Sequence, residues 1–239
     1  PVLRGHLKAW DGSIYGKLYE SIEGDYFYEG DTLFLPRLEM HTYGGTIVAD
    51  GQVSKEHVDV NFSGDDLPVE PFIRDTGVDL KGYITTRGHL GGTLDLPIFE
   101  GTVLAPEMHS KDSVLQDVMG SVYITPNIVN LQELSFTGAG NSRYDIKGGV
   151  QLTGEKRLFG YVRVEDGDVH QLLSLGNVQI PDLNGKLRGT IDLGGTSDDP
   201  RIEVKGSIAD VAVRNKVVGT ATIDAAYGGR TVDIHTFTL

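Results

Sequence analysis

Two pairs of adjacent aspartates, Asp65-Asp66 and Asp198-Asp199, are the side chains that could be reactive if the fold brought them together. Paired carboxylates can hydrolyse glycosidic bonds or bind calcium, but both tasks require carboxylates that face each other across a cleft. Each pair here lies near a predicted turn, where aspartates commonly accept hydrogen bonds from backbone amides. The sequence therefore favours a structural role for both pairs.

Other catalytic and metal-binding patterns are missing from the sequence. Cysteine is absent, which excludes disulfides and thiol chemistry. The histidines show neither zinc-ligand spacing nor an i, i+4 pair, and there is no Gly-x-Ser-x-Gly elbow or phosphate-binding Gly-Lys-Ser/Thr loop. We predict that the protein is not an enzyme and binds no metal and no cofactor. The histidines are His6, His41, His57, His89, His109, His170 and His235.

The composition narrows the class of partner. The net charge is −13, from 21 basic and 34 acidic residues, which argues against nucleic acid as a partner. Glycine makes up 32 of 239 residues, about twice the usual ~7%, which indicates many turns and bulges in a β-rich chain. No run of 18 apolar residues is present. Because the chain opens on Pro1 and stops at Leu239 within a strand-like alternation, we expect a segment of a longer protein.

An internal repeat organises the chain. Residues 79–97 and 182–200, offset by 103, share nine of nineteen residues without a gap, including the Gly-Gly-Thr, Asp and Pro of "GHLGGTLDLP" and "GTIDLGGTSDDP". The paired glycines allow positive φ, and the following Asp and Pro favour a turn, so the phrase should end one strand and begin the next. We predict one continuous β-repeat segment over 1–239, with approximate units 1–56, 57–159 and 160–239.

A second phrase recurs three times, as "GDTLFLPRLEM" from Gly30, "PNIVNLQELSF" from Pro126 and "GRTVDIHTFTL" from Gly229. Apolar residues alternate with period two, as in "HVDVNF" at 57–62, which is typical of strands with one apolar and one polar face. The step from Leu35 to Leu38, and its two counterparts, break this parity and predict a recurrent bulge. Helical signal is limited to one or two turns at 168–176 and at 111–120, and at most one turn at 65–73.

These features resemble the TamB family of repeating β-groove envelope proteins. The resemblance rests on "GTIDLGGTSDDPRIEVKGSI" at 189–208, "GGTLDLPIFEGTVLA" at 91–105 and "GSVYITPNIVNLQELSFTGAG" at 120–140, and it covers nearly the whole chain. It implies an all-β fold: an elongated repeat-built sheet, curled into an open taco-like trough with an apolar lining. The family carries no catalytic residues, and its N-terminal membrane anchor and C-terminal partner-binding end are not recognisable here.

The resemblance also implies a function and a location. We expect a middle, periplasmic segment of a protein anchored in the inner membrane. It would act as a passive conduit for phospholipid acyl chains between inner and outer membranes, or assist outer-membrane protein biogenesis. The expected partner is an outer-membrane barrel protein of the BamA or TamA type, bound through regions outside this segment.

A conduit of this kind requires a lining with almost no charge, because a polar ring would return acyl methylenes to water. The residues in phase with the alternation are the candidate lipid-groove lining: Leu33, Leu35, Leu38, Met40, Val58, Val60, Phe62, Leu94, Leu96, Ile98, Val122, Ile124, Val129, Leu131, Leu134, Phe136, Ile191, Leu193, Ile202, Val204, Ile223, Val232, Ile234, Phe237 and Leu239.

Two other functions fit the alternation. The same residues would form the closed core of a structural or adhesive β-solenoid, and a polysaccharide-active β-helix enzyme would place carboxylates in a cleft. The aromatic cluster from Tyr26 to Phe34 could stack on carbohydrate, although cross-strand pairing explains it more simply.

Overall fold

A computed structural model of the chain describes residues 2–14, 16–74, 79–110, 113–169, 183–213, 216–229 and 231–238. Its fifteen strands are hydrogen-bonded in sequence order into one open antiparallel sheet, which confirms the all-β prediction. By contacts the chain divides into two compact units, a first of Pro1–Met108 with Ser121–Pro126 and a second of His109–Gly120 with Asn127–Leu239. Each unit is described by itself below.

The strands are Val2–Ile14 (β1), Lys17–Glu29 (β2), Thr32–Thr42 (β3), Gly45–Val53 (β4), Val58–Pro68 (β5), Lys81–Gly92 (β6), Pro97–Ser110 (β7), Ser113–Thr125 (β8), Ile128–Thr137 (β9), Arg143–Gln151 (β10), Leu158–Asp168 (β11), Leu183–Gly195 (β12), Pro200–Val213 (β13), Lys216–Gly228 (β14) and Thr231–Thr238 (β15).

The sequence repeat corresponds to a repeat of strands. Strands β7 and β13, and likewise β8 and β14, have identical lengths and start 103 residues apart. The repeated glycine phrase ends β6 at Gly92 and β12 at Gly195, with φ of 86° and 81°, and a proline begins the next strand in each case. In both turns a threonine hydroxyl accepts a hydrogen bond from the amide three residues on, at 3.0 Å for Thr93 and 3.1 Å for Thr196. The same local sequence therefore builds the same turn twice.

The three predicted bulges are confirmed. On β3 the register shifts between Leu35 and Leu38. On β9 it shifts between Leu131 and Leu134, which lie opposite Gly148 and Ile146 of β10. On β15 it shifts between Ile234 and Thr236, which lie opposite Ala225 and Asp224 of β14. In each case one extra residue lies on the strand that carries the repeated phrase. A bulge places two residues opposite one, so apolar residues three apart can share one face of the sheet.

Aspartates occupy a second set of bulges, with φ of 54° at Asp66, 52° at Asp166 and 53° at Asp210, and Asp117 on β8 has the same left-handed conformation, with φ of 52°. Aspartate tolerates this left-handed conformation because its short side chain can hydrogen-bond locally. The sequence suggested that the Asp65-Asp66 pair lies near a turn, but the pair lies within β5. The Asp198-Asp199 pair does lie in the turn between β12 and β13, where Asp199 Oδ1 accepts a hydrogen bond from the Gly229 amide at 3.2 Å.

Helix within the described ranges comprises single turns at Glu70–Ile73 (α1) and Ala139–Asn141, together with the helical residue Val169. The single turn predicted within 65–73 is confirmed. The turns predicted at 111–120 are wrong from residue 113, where β8 begins. Leu115 and Val118, on either side of the left-handed Asp117, are both buried although they are three residues apart, which imitates helical spacing. Most of the segment 168–176 lies outside the described residues.

Candidate functional site: the apolar sheet faces

Strand registers in the first unit separate apolar from charged residues. Residues directly opposite each other on paired strands share a face. Leu35 lies opposite Gly51 and Leu38 opposite Ala49, and these β4 partners are two residues apart. The β3 bulge therefore keeps both leucines on one face despite their odd spacing.

This apolar face continues onto neighbouring strands. Val58, Val60 and Phe62 lie opposite Val53, Gly51 and Ala49. Across β3–β6 the residues on it are apolar, glycine or threonine: Leu33, Leu35, Leu38, Met40, Thr42, Gly45, Ile47, Ala49, Gly51, Val53, Val58, Val60, Phe62, Gly64, Leu67, Ile84, Thr86, Gly88 and Leu90. On β2 the face includes one carboxylate, Glu20, which accepts a hydrogen bond from the Gly44 amide at 3.3 Å.

The second unit has an apolar face of its own across β9–β15. One row on it, called here the central row, places an apolar residue on each of seven paired strands: Leu134, Ile146, Val162, Ile191, Val204, Ala225 and Ile234. The rows on either side contain Val129, Leu131, Phe136, Tyr144, Val150, Leu158, Val164, Leu193, Ile202, Ile223 and Tyr227, interrupted only by glycines. No charged residue occurs in the central row or in the rows on either side of it. At ~4.8 Å between strands, the central row runs for ~29 Å.

Most candidate lining residues therefore share an apolar face with their neighbours. All seven candidates on β3 and β5 do so, as do those on β9, β12, β13 and β14 and Ile234 on β15. Val122 and Ile124 lie on β8 and are partly exposed. Only the backbones of Val232 and Phe237 are described, opposite Tyr227 and Ile223, and Leu239 lies outside the described residues.

Three candidates are placed differently from the prediction. Leu94 and Leu96 lie in the turn between β6 and β7 and are 58% and 61% exposed, so strand alternation does not apply to them. Ile98 is the neighbour of Phe99, whose ring stacks on Phe62 at 5.5 Å between centroids. Because adjacent strand residues point to opposite faces, Phe99 belongs to the apolar face and Ile98 does not.

Sequence reasoning missed the contributions of β10 and β11, including Tyr144, Ile146, Val162 and Val164. The alternation in "YDIKGGV" and "LFGYVRV" carries the signal, but in each stretch a glycine takes one of the four in-phase positions and weakens it. These strands complete the rows between β9 and β12.

Burial varies along the strands of the second unit. At one end, Tyr144 is 1% exposed and stacks on Phe136 at 4.6 Å between ring centroids, with buried Val164 beside it. Burial raises the pKa of the Tyr144 phenol above its usual value, while hydrogen bonds with Ser142 and the Asp168 backbone act in the opposite direction. Most other residues of this apolar face, including the first five of the central row, are partly exposed.

The opposite face of the first unit is densely charged. His6 lies 2.8 Å from Asp25 and 3.3 Å from Glu23, and Lys8 lies 2.9 Å from Glu23. The hydrogen bond to Asp25 is the main cause that raises the pKa of His6, and the Lys8 ammonium lowers the pKa of Glu23. Among the residues that the structure describes, no three histidines, aspartates or glutamates converge on a metal site.

The aromatic cluster from Tyr26 to Phe34 is partly explained by strand pairing. Phe27 and Phe34 lie opposite each other on β2 and β3, on the charged face, and their rings stack at 4.6 Å.

No family model, curated protein or solved structure matches the chain. Among the described residues, no helix is long and apolar enough to cross a bilayer.

Proposed function

We propose that the chain is a segment of a passive conduit for phospholipid acyl chains. The observation that carries the proposal is the central row of the second unit, seven apolar residues on seven consecutive strands with no charged residue in that row or in the rows beside it. The row is ~29 Å long by strand spacing, close to the ~30 Å hydrocarbon thickness of a bilayer. The central row could therefore contact acyl chains over a distance comparable with the hydrocarbon thickness of a membrane.

The energetics favour a surface of this kind. Moving an acyl chain of about 16 carbons into water costs on the order of 12 kcal/mol at ~0.8 kcal/mol per methylene. A row without polar interruption lowers that cost at every step. The partial exposure of Leu131, Leu134, Ile191 and Val204 supports the proposal, because a lipid can reach side chains that the protein does not bury completely.

The trough itself is part of the proposal, and a glycine pair in the second unit supports it. Gly189 and Gly206 lie directly opposite each other on the apolar face. A methyl group added at Gly189 would lie 2.8 Å from the Cα of Gly206 and closer still to the Lys205 carbonyl oxygen. Strands that approach this closely on one side indicate a local bend towards that side, which would make the apolar face concave there.

The closed-core solenoid is the rival function. It would bury the apolar face, as at Tyr144 and Val164, along its whole length. Two observations favour the conduit over it: most of the face is partly exposed, and every register described is antiparallel between consecutive strands, whereas β-helices stack parallel strands. The same strand arrangement disfavours a polysaccharide-active β-helix enzyme.

The proposed cellular setting follows from the resemblance to TamB. The chain would be a periplasmic part of a protein anchored in the inner membrane, and regions outside it would contact an outer-membrane barrel protein of the BamA or TamA type. Phospholipid transport and outer-membrane protein biogenesis are both compatible with this setting.

Photo-crosslinking tests the proposal at two adjacent residues. A benzophenone side chain replaces Leu131, on the apolar face, or Asn130, on the charged face, and the protein is irradiated with phospholipid vesicles and in cells. Phospholipid adducts at position 131 and not at 130 are expected. Only intramolecular adducts at 131 would indicate a closed core and refute the conduit.

A further inference from the structure

Phe159 is an exposed phenylalanine on the charged face of the second unit. Phe159 on β11 is 42% exposed and lies opposite Gly149 on β10. Its ring occupies the space that a side chain at position 149 would need. On its other side, strand pairing continues to Gly194 on β12, and no atom lies within 4 Å of where a Cβ at Gly194 would be. The ring therefore has open space beside it over β12.

Two recesses adjoin this ring. The first has a volume of about 500 Å³, and the second has a volume of about 470 Å³. In the first, Lys147, Tyr161 and Asp192 form one row across β10–β12 on the charged face. We call the surface around both recesses the Phe159 patch. Besides Phe159, its polar and aromatic lining residues are Asn130, Gln132, Lys147, Tyr161 and Asp192 in the first recess, and Asn127, Gln151 and Arg157 in the second.

The chemistry of the patch matches a sugar. Four of its residues are carboxamides, each of which offers both a donor and an acceptor, as vicinal hydroxyl groups require. An exposed aromatic ring between them can cover the apolar face of a pyranose. The volumes lie within the range of small-molecule sites.

Charge favours a neutral ligand. Lys147 and Asp192 lie in the same recess, and Arg157 in the other is paired with Glu155 at 3.3 Å, so the charges near the patch balance. Of the residues that line the two recesses, Asp192 is the one carboxylate. Glycosidic hydrolysis by the usual mechanism needs two, so the patch suits binding and not cleavage.

From these observations we infer that the Phe159 patch binds a neutral oligosaccharide, with one sugar ring against Phe159 and neighbouring units in the two recesses. The first recess is also lined by Leu131 and Leu193 of the apolar face, but the polar and aromatic side chains named above lie on the charged face, and the inference does not depend on the proposed lipid function. It would give the charged face of the sheet a role as a glycan-contacting surface.

The test is a titration of the intact chain with cellopentaose, maltopentaose and chitopentaose, followed by ¹H–¹⁵N NMR and calorimetry. We expect millimolar or tighter binding of at least one of them, with shifts at Phe159, Asn130 and Gln151. Phe159→Ala should weaken binding about tenfold, and Phe159→Tyr should retain it, because the aromatic surface is kept.

A matched control is Phe27→Ala, which removes an aromatic ring from the charged face of the other unit and should leave sugar binding unchanged. Circular dichroism checks that each variant folds. Absence of binding for all three sugars, or equal affinity in folded Phe159→Ala and the wild type, would overturn the inference. Leu134 lines neither recess, so phospholipid crosslinking at position 134 should be unaffected by Phe159→Ala, and the two proposals fail or succeed separately.

Discussion

Placing one carboxylate in the central row is the sharpest test of the conduit. Ile191 lies in that row between Val162 on β11 and Val204 on β13. Its neighbour Thr190 points to the charged face and lies opposite Arg163 and Lys205. Ile191→Asp and Thr190→Asp therefore add the same charge to the same strand, one on each face. Only the first should impede acyl chains.

The size of the effect follows from strand spacing. A chain of about 16 carbons occupies about half of the ~30 Å hydrocarbon core, or ~1 Å per carbon, so one strand step of ~4.8 Å corresponds to about five methylenes. Returning these to water costs ~4 kcal/mol at ~0.8 kcal/mol each. Because the flanking rows stay apolar, we expect about half of this, ~2 kcal/mol, which slows transfer about 30-fold.

The assay is the transfer of a fluorescent phospholipid between donor and acceptor vesicles, catalysed by the purified chain. Thr190→Asp should transfer lipid at close to the wild-type rate. Lowering the pH towards ~4 neutralises the introduced carboxylate, whose pKa apolar surroundings raise, and should restore transfer by Ile191→Asp relative to the wild type at the same pH. Equal rates in wild type and folded Ile191→Asp, or equal slowing by both substitutions, would refute the reasoning.

Three further predictions concern the fold and its electrostatics. Gly189→Ala should lower the free energy of unfolding in urea by about 1–3 kcal/mol, because the added methyl group would clash with Gly206 and the Lys205 carbonyl. Gly194→Ala, with open space at its Cβ, should change the free energy of unfolding by less than ~0.5 kcal/mol. Equal effects of the two substitutions would contradict this prediction. Because burial raises the pKa of Tyr144, its stabilising contribution is complete below pH ~10 and is lost as the pH rises through the folded-state value, so Tyr144→Phe should reduce the loss of stability measured above that pH. The NMR titration of His6 should give a pKa above 6.5 that Asp25→Asn moves back towards 6.5; an unchanged value would show that this hydrogen bond is not the cause.

Local sequence predicted the two-sided character of the strands and several of their details. Period-two alternation identified the apolar side of β3, β5 and β12, and the parity break between Leu35 and Leu38 located a bulge. The Gly-Gly-Thr phrase located two turns. These features could be predicted because side-chain direction in a strand, and the conformational freedom of glycine, depend on a few neighbouring residues.

The errors occurred where one residue changed the parity. A left-handed aspartate at position 117 made a strand look helical. Leu94 and Leu96 alternate correctly in sequence, but the backbone at 93–96 is a turn. In the strand that follows, which begins at Pro97, Ile98 lies on the opposite side from Phe99. A shift of one residue exchanges the two faces, so a small error in a strand boundary reverses a side-chain assignment.

The sequence by itself determined the strand-rich class, the repeat, the two Gly-Gly-Thr turns and the apolar side of strands such as β3, β5 and β12. Tertiary structure alone decided which strand pairs with which, and therefore that Leu134, Ile146 and Val162 join into one row. It also decided that Tyr144 is buried while Ile191 is partly exposed, and that two recesses meet at Phe159. The physical reason is that alternation is local to a strand, whereas rows, burial and recesses depend on registers between residues that are far apart in the chain.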